Sequence, residues 1–142
     1  MHAVDREAPP ADSAARGIAR LVALLERGPA ALLTGAGIST DSGIPDYRGR
    51  GAPPRTPMSI EQFSGDPAYR SRFWAGARIG ALRLAGIRPN SGHESAARLE
   101  RSGRLTGIAT QNVDGLHLAA GARNVAELHG SGSTMRCIEE GH

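Results

Sequence analysis

Apolar residues fall along the chain in two spacings, and each spacing predicts a different element. Ile18, Leu21, Val22 and Leu25 recur at i, i+3, i+4 and i+7, which lines one face of a helix. Ser13 is the predicted cap of that helix, and Gly28-Pro29 its stop. Ala30 to Thr34 is a short continuous apolar run of strand length, and it empties into a stretch rich in glycine. A loop rich in Gly, Pro and Arg covers Arg48 to Pro57. Asp66-Pro67 opens a further helix, because proline suits the first helical position. Its Tyr69, Phe73, Trp74, Ala77 and Ala81 make an apolar side expected to be core. Another helix is predicted over Gly92 to Arg101, ended by Ser102-Gly103. Leu105 to Thr110 and Asn124 to Leu128 complete a set of three strands.

Strands alternating with helices predict an α/β architecture with a mostly parallel sheet. The polar clusters have a common address. Gly35–Arg48, Gln111–Asp114 and His129 each follow a candidate strand. Open parallel sheets bind ligands outside the carboxyl ends of their strands, so three clusters delivered there predict one site. Residues 1–12, rich in Ala, Pro and Asp, read as a leader ahead of a folded region over 13–142.

Composition narrows the class. A length of 142 residues fits one domain or a piece of a larger one, and 39% hydrophobic with 22% charged residues is a globular composition. All 17 cations are arginine, scattered without a run, and the net charge is only +3. Nucleic-acid surfaces concentrate cations on one face, so no nucleic-acid partner is expected. The single cysteine, Cys137, excludes an internal disulfide and fits a reducing compartment. The acids and prolines at the N-terminus do not suit a signal peptide, and no apolar run approaches the ~18 residues of a membrane span. A cytoplasmic protein without a membrane partner is expected.

The clusters then suggest chemistry. Gly35-Ala36-Gly37 allows a tight turn and a close approach of backbone N–H groups to phosphate. Thr40 stands where the third glycine of the dinucleotide fingerprint belongs, and no acid lies about 20 residues on, so a hydride-transferring dehydrogenase is a poor fit. Ile44-Pro45-Asp46-Tyr47-Arg48 gathers a turn, a carboxylate, a ring and a guanidinium; a surface turn with Asp46 and Arg48 as a solvated pair is the plainer reading. Gln111, Asn112 and Asp114 have the donors and acceptors to read a carboxamide, while Asn112 or Asp114 also suits the cap of a helix starting near Gly115. His129, at a strand end beside Gly130, is the candidate general base, since imidazole exchanges a proton near neutral pH. His93 and His117 read as structural or surface residues.

GAGIS-x-x-SGIPDYR (Gly35–Arg48), RPNSGH (Arg88–His93), TQNVDGLH (Thr110–His117) and ELHG (Glu127–Gly130), in this order, resemble the signature stretches of the sirtuins, the NAD-dependent protein deacylases. The resemblance spans about Gly17 to Cys137. It implies a Rossmann-like parallel sheet with flanking helices. It places Gly35, Ala36 and Gly37 against the NAD pyrophosphate, with Ser39 and Thr40 beside it. Ile44, Asp46, Asn112 and Asp114 would form the nicotinamide pocket, Asp114 or Asp46 accepting from the carboxamide. Tyr47, where the family often has Phe, would shield the reactive sugar carbon; Arg48 would lie against the phosphates and Gln111 against the nicotinamide ribose. His129 would be the catalytic base, with Asn112 and Asp114 completing the catalytic set. The implied substrate is an acyl-lysine protein or peptide, whose acyl group passes to ADP-ribose as nicotinamide leaves.

The pattern breaks in one place. The family's zinc module uses two Cys-x-x-Cys pairs, whereas Cys137 is followed at the second position by Glu140. Cys137, with His142 at best, falls short of the four ligands a structural zinc takes. The family's later strands have no counterpart before His142, so a partial catalytic domain, incomplete at the C-terminus, is expected. The alternative is a catalytically inactive remnant or regulatory domain that binds NAD or ADP-ribose.

Overall fold

A computed structural model describes residues 11–46 and 57–140 of the chain. Three parallel strands form the sheet: β1 (Ala30–Thr34), β2 (Leu105–Thr110) and β3 (Val125–Glu127), in the spatial order β1-β2-β3. Leu32 pairs with Ile108 and Thr34 with Thr110, while Thr110 on its other side pairs with Glu127. The three strands therefore end level, and all three loops leave at one edge of the sheet. The predicted parallel sheet is present, with β3 shorter at both ends than Asn124 to Leu128. Asn124 O still accepts from Ile108 N of β2, but its N–H goes to the Glu100 carboxylate (2.6 Å) and its side chain donates to Thr106 O.

Helix α1 (Ala11–Glu26) starts ahead of Ser13, which lies in its first turn instead of capping it. The helix is amphipathic as predicted, yet Ile18, Leu21, Val22 and Leu24 are all at least 48% exposed and only Leu25 is half-buried. Its tie to the sheet is polar: Arg104 donates to the Leu25 carbonyl at 2.9 Å. Of the expected Arg48–Pro57 loop, residues 48–56 lie outside the described residues, as do residues 1–10 of the expected leader.

Helix α2 (Ile60–Gly65) begins with a capping box, in which Gln62 N donates to Ser59 Oγ and Ser59 N to Gln62 Oε1. Helix α3 (Pro67–Leu84) is capped by Asp66, whose carboxylate accepts from Ala68 N at 2.8 Å. The aromatic residues of α3 correct an expectation. Phe73 and Trp74 are each 45% exposed and no residue of α3 is buried. They pack edge-on with Phe63 of α2 and with each other, Phe73 lying 5.1 Å from Phe63 and 5.2 Å from Trp74. An aromatic cluster local to this helix pair replaces the expected core face.

The core lies under α4 (Ser91–Arg101). Ala96 and Ala97 of α4 meet Ile108 of β2 and Ala122, with Leu32, Ala120 and Val125 packed around them. Asn90 caps α4 by accepting from Gly92 N and His93 N, and the His93 ring returns the bond by accepting from Asn90 N. Glu100, at the far end of α4, accepts from Arg123 N and Asn124 N and so fastens the start of β3. A short helix, α5 (Leu116–Ala119), links β2 to β3.

Candidate functional site

The first site loop is not open coil. After β1, residues Ala36–Ser42 wind into a 3-10 helix that ends at Gly43, where φ is +90°. Only glycine takes that left-handed conformation without strain, so Gly43 is what turns Ile44 and Pro45 back toward the sheet. Gly92 permits the helix to sit close: a Cβ there would meet Asn90 Oδ1 at 3.0 Å and Ile38 Cγ1 at 3.4 Å.

The second loop, after β2, carries the polar side chains. Asn112 Nδ2 donates to Gly35 O and to Ser39 Oγ, both at 3.1 Å. Ser39 Oγ in turn donates to Asp114 Oδ2 at 2.7 Å, and the other oxygen of Asp114 accepts from Leu116 N at 3.0 Å. Asp114 therefore holds the first turn of α5 and the 3-10 helix together, and each oxygen keeps a lone pair for a ligand. Ser39 is fully buried; its hydroxyl is turned inward to Asp114 and braces the wall from behind.

A cavity of about 390 Å³ opens between these loops, lined in part by Ala36, Ser39, Ile44, Gln111, Asn112 and Asp114. It shows what sequence reasoning missed: Gly80, Arg83, Leu84 and Ile87, from α3 and the turn after it, supply the opposite wall. No motif marks them. Of the other predicted site residues, Gly35 receives Asn112, and Gly37 receives the Thr40 hydroxyl at 2.9 Å. Thr40 is exposed and Asp46 half-buried, and neither lines the cavity. Tyr47 and Arg48 lie outside the described residues.

His129 reaches the same edge from β3. Leu128 N donates to Thr110 O (2.8 Å), and His129 Nδ1 lies 3.0 Å from Gln111 O. A carbonyl oxygen only accepts, so Nδ1 carries the proton and Nε2 is the basic nitrogen. His129 is exposed, beside the cavity and one residue removed from its lining. Gly130, with φ at +75°, turns the chain away immediately after it.

Behind the wall sit two buried imidazoles. The rings of His93 and His117 meet edge-on with centroids 4.9 Å apart. Burial pushes both below the usual histidine value of 6.5, the neighbouring His93 lowering His117 further, while the Asp114 carboxylate partly opposes the shift in each.

Among the described residues no cluster of three or more His, Cys, Asp or Glu could hold a metal ion, and Cys137 is half-buried. A structural zinc does not fit the donors among the described residues.

A parallel α/β sheet with a largely apolar cavity at its carboxyl edge, into which a few polar groups converge, is a ligand-binding architecture of the nucleotide-binding kind. A model of the Sir2 family matches residues 35–142, and the chain belongs to that family. It is 54% identical over 118 residues to NAD-dependent protein deacetylase 1 of Mycobacterium avium, covering 83% of this chain and 42% of that protein. It is 46% identical to the NAD-dependent protein deacylase SIR4 of Monosiga brevicollis, covering 81% and 37%. A solved Sir2 structure with p53 peptide and NAD+ superposes with a TM-score of 0.74 at 35% identity, over 86% of this chain and 49% of that one. The chain spans about two-fifths of the length of the curated relatives it matches.

Proposed function

We propose that the chain carries the nucleotide-binding and proton-accepting part of an NAD-dependent protein-lysine deacylase acting in the cytoplasm. One observation carries this reading. Gly35 and Asn112, 77 positions apart, share a hydrogen bond at the cavity, and the neighbouring Gln111 carbonyl holds the His129 ring.

The donor set suits the nicotinamide end of NAD. Asn112 offers both a donor and an acceptor, Asp114 has lone pairs to spare, and Ile44, Pro45, Val113, Leu84 and Ile87 give an apolar wall for a ring. Gly35, Ala36 and Gly37 would receive the phosphates on their backbone N–H groups, beside Ser39 and Thr40. Asp46, Tyr47, Arg48 and Gln111 would serve the carboxamide, sugar carbon, phosphates and ribose, as the family resemblance implies.

NAD, a substrate here, supplies a glycosidic bond whose departing nicotinamide leaves a sugar carbon open to the acyl oxygen of a modified lysine. His129 then takes a proton from a ribose hydroxyl at Nε2, while its Nδ1–H stays on the Gln111 carbonyl. The freed oxygen attacks the acyl carbon and the lysine amine leaves with a proton. Water then adds to that carbon and releases the oxygen held on the first sugar carbon, so the products are free lysine and O-acyl-ADP-ribose. Such a positioned base is worth about 10²–10⁴ in rate.

The test is nicotinamide release by the purified chain given NAD and an acetylated peptide. His129→Ala should lower release by about a hundredfold or more, and the midpoint rise produced by NAD should persist in the variant. An NAD-dependent midpoint rise without release would assign binding without turnover. Failure of both would reject the reading.

A further inference from the structure

The buried pair His93 and His117 has no part in the chemistry above, yet its bonds run straight to the cavity wall. His117 Nε2 lies 2.9 Å from Thr34 Oγ1, at the last residue of β1 before the glycine turn. His93 Nε2 lies 3.5 Å from Ser39 Oγ, the hydroxyl that joins Asp114 and Asn112. We propose that His117 is a positioning residue: its neutral ring, braced between Thr34 and His93, holds the glycine-turn helix in place against the Asn112–Asp114 loop.

The proton positions follow from the partners. His93 Nδ1 accepts from Asn90 N, so the proton of a neutral His93 is on Nε2, facing Ser39. His117 Nδ1 is buried with no hydrogen-bond partner. A buried N–H without an acceptor is costly to leave unmade, so the proton of His117 also belongs on Nε2, donated to Thr34. Both rings are fixed as the same tautomer. Protonating His117 would put an N–H on the one nitrogen that has nothing to receive it, beside a second imidazole 4.9 Å away. The titratable groups facing His117 are His93 from α4 and Asp114 from the loop after β2, while β1 presents the neutral Thr34.

The sign of the pH effect is fixed. Between the folded value and 6.5 the unfolded chain binds more protons at His93 and His117 than the folded one. Stability from this layer is complete above 6.5 and drains away as the pH falls below it.

Two measurements test the proposal. The first is nitrogen-15 NMR of the imidazoles in the unliganded 142-residue chain, followed with the thermal midpoint from about pH 7.5 downward. Both rings should be Nε2–H tautomers, and the midpoint should begin to fall below 6.5 while His117 of the folded chain is still neutral. An Nδ1–H tautomer at His117, or protonation above that value, overturns the proposal. The second measurement, which rests on the nucleotide reading, compares NAD affinity in His117→Phe and His117→Gln. Phenylalanine keeps the ring contact and loses the bond to Thr34, so affinity should fall about tenfold; glutamine can donate to Thr34 and should hold it within about threefold. Unchanged affinity in His117→Phe overturns the proposal. If the wild-type chain binds no NAD, the nucleotide reading fails, and the tautomer measurement alone decides the role of His117.

Discussion

Helices α1 and α4 invert the usual relation between apolar content and burial. Helix α1 has large side chains spaced for one face and leaves them in solvent; α4 has two alanines and a histidine facing inward, and all three are buried. The difference lies in the partner each helix meets. Ala96 and Ala97 are small enough to let α4 lie on β2, with His93 fitted between Asn90, Ser39 and His117. Helix α1 reaches the sheet through Arg104 on the Leu25 carbonyl, and α3 closes an aromatic cluster with α2. Packing here follows from shape and directed hydrogen bonds more than from hydrophobic area.

Substitutions can break this contrast. Ile108→Ala should cost the most, about 2–5 kcal/mol, because it empties the centre of a core of very few side chains. A denaturant titration checks it, and a loss under about 1 kcal/mol would mean that α4 does not pack on β2 as described. Gly107→Ala comes next, at about 1–3 kcal/mol of overpacking. Its new Cβ would lie 2.7 Å from Asn124 Nδ2 and 3.1 Å from the Asn124 carbonyl, so the start of β3 must shift. Leu24→Ala in α1 should change stability by under about 0.5 kcal/mol, since Leu24 is 58% exposed. A larger loss in the same titration would show that the face of α1 is covered in solution.

The sequence made the sheet legible because short apolar runs bounded by turn residues mark strands: β1 and β2 have the predicted limits, although β1 is not buried and Leu33 is 65% exposed. The start of α3 was legible because Asp66-Pro67 acts locally. Helix α2 was missed although Ser59 and Gln62 carry its capping box, since six residues are too few to show a period. Burial was the harder matter. Periodicity in α1 shows which side chains share a face, and says nothing of what lies opposite. The cavity divides the same way: Asn112 and Asp114 announced themselves by type, whereas Gly80, Leu84 and Ile87 join it only because α3 passes there. The tie between His117 and Thr34 spans 83 positions and has no local signature.

The clasp at Glu100 makes the mooring of β3 a matter of pH. The N–H groups of Arg123 and Asn124 hold its carboxyl below the usual 4.5, so its grip on β3 outlasts the pH at which an ordinary glutamate takes its proton. Acid strong enough to protonate Glu100 would cast off the strand that leads to His129.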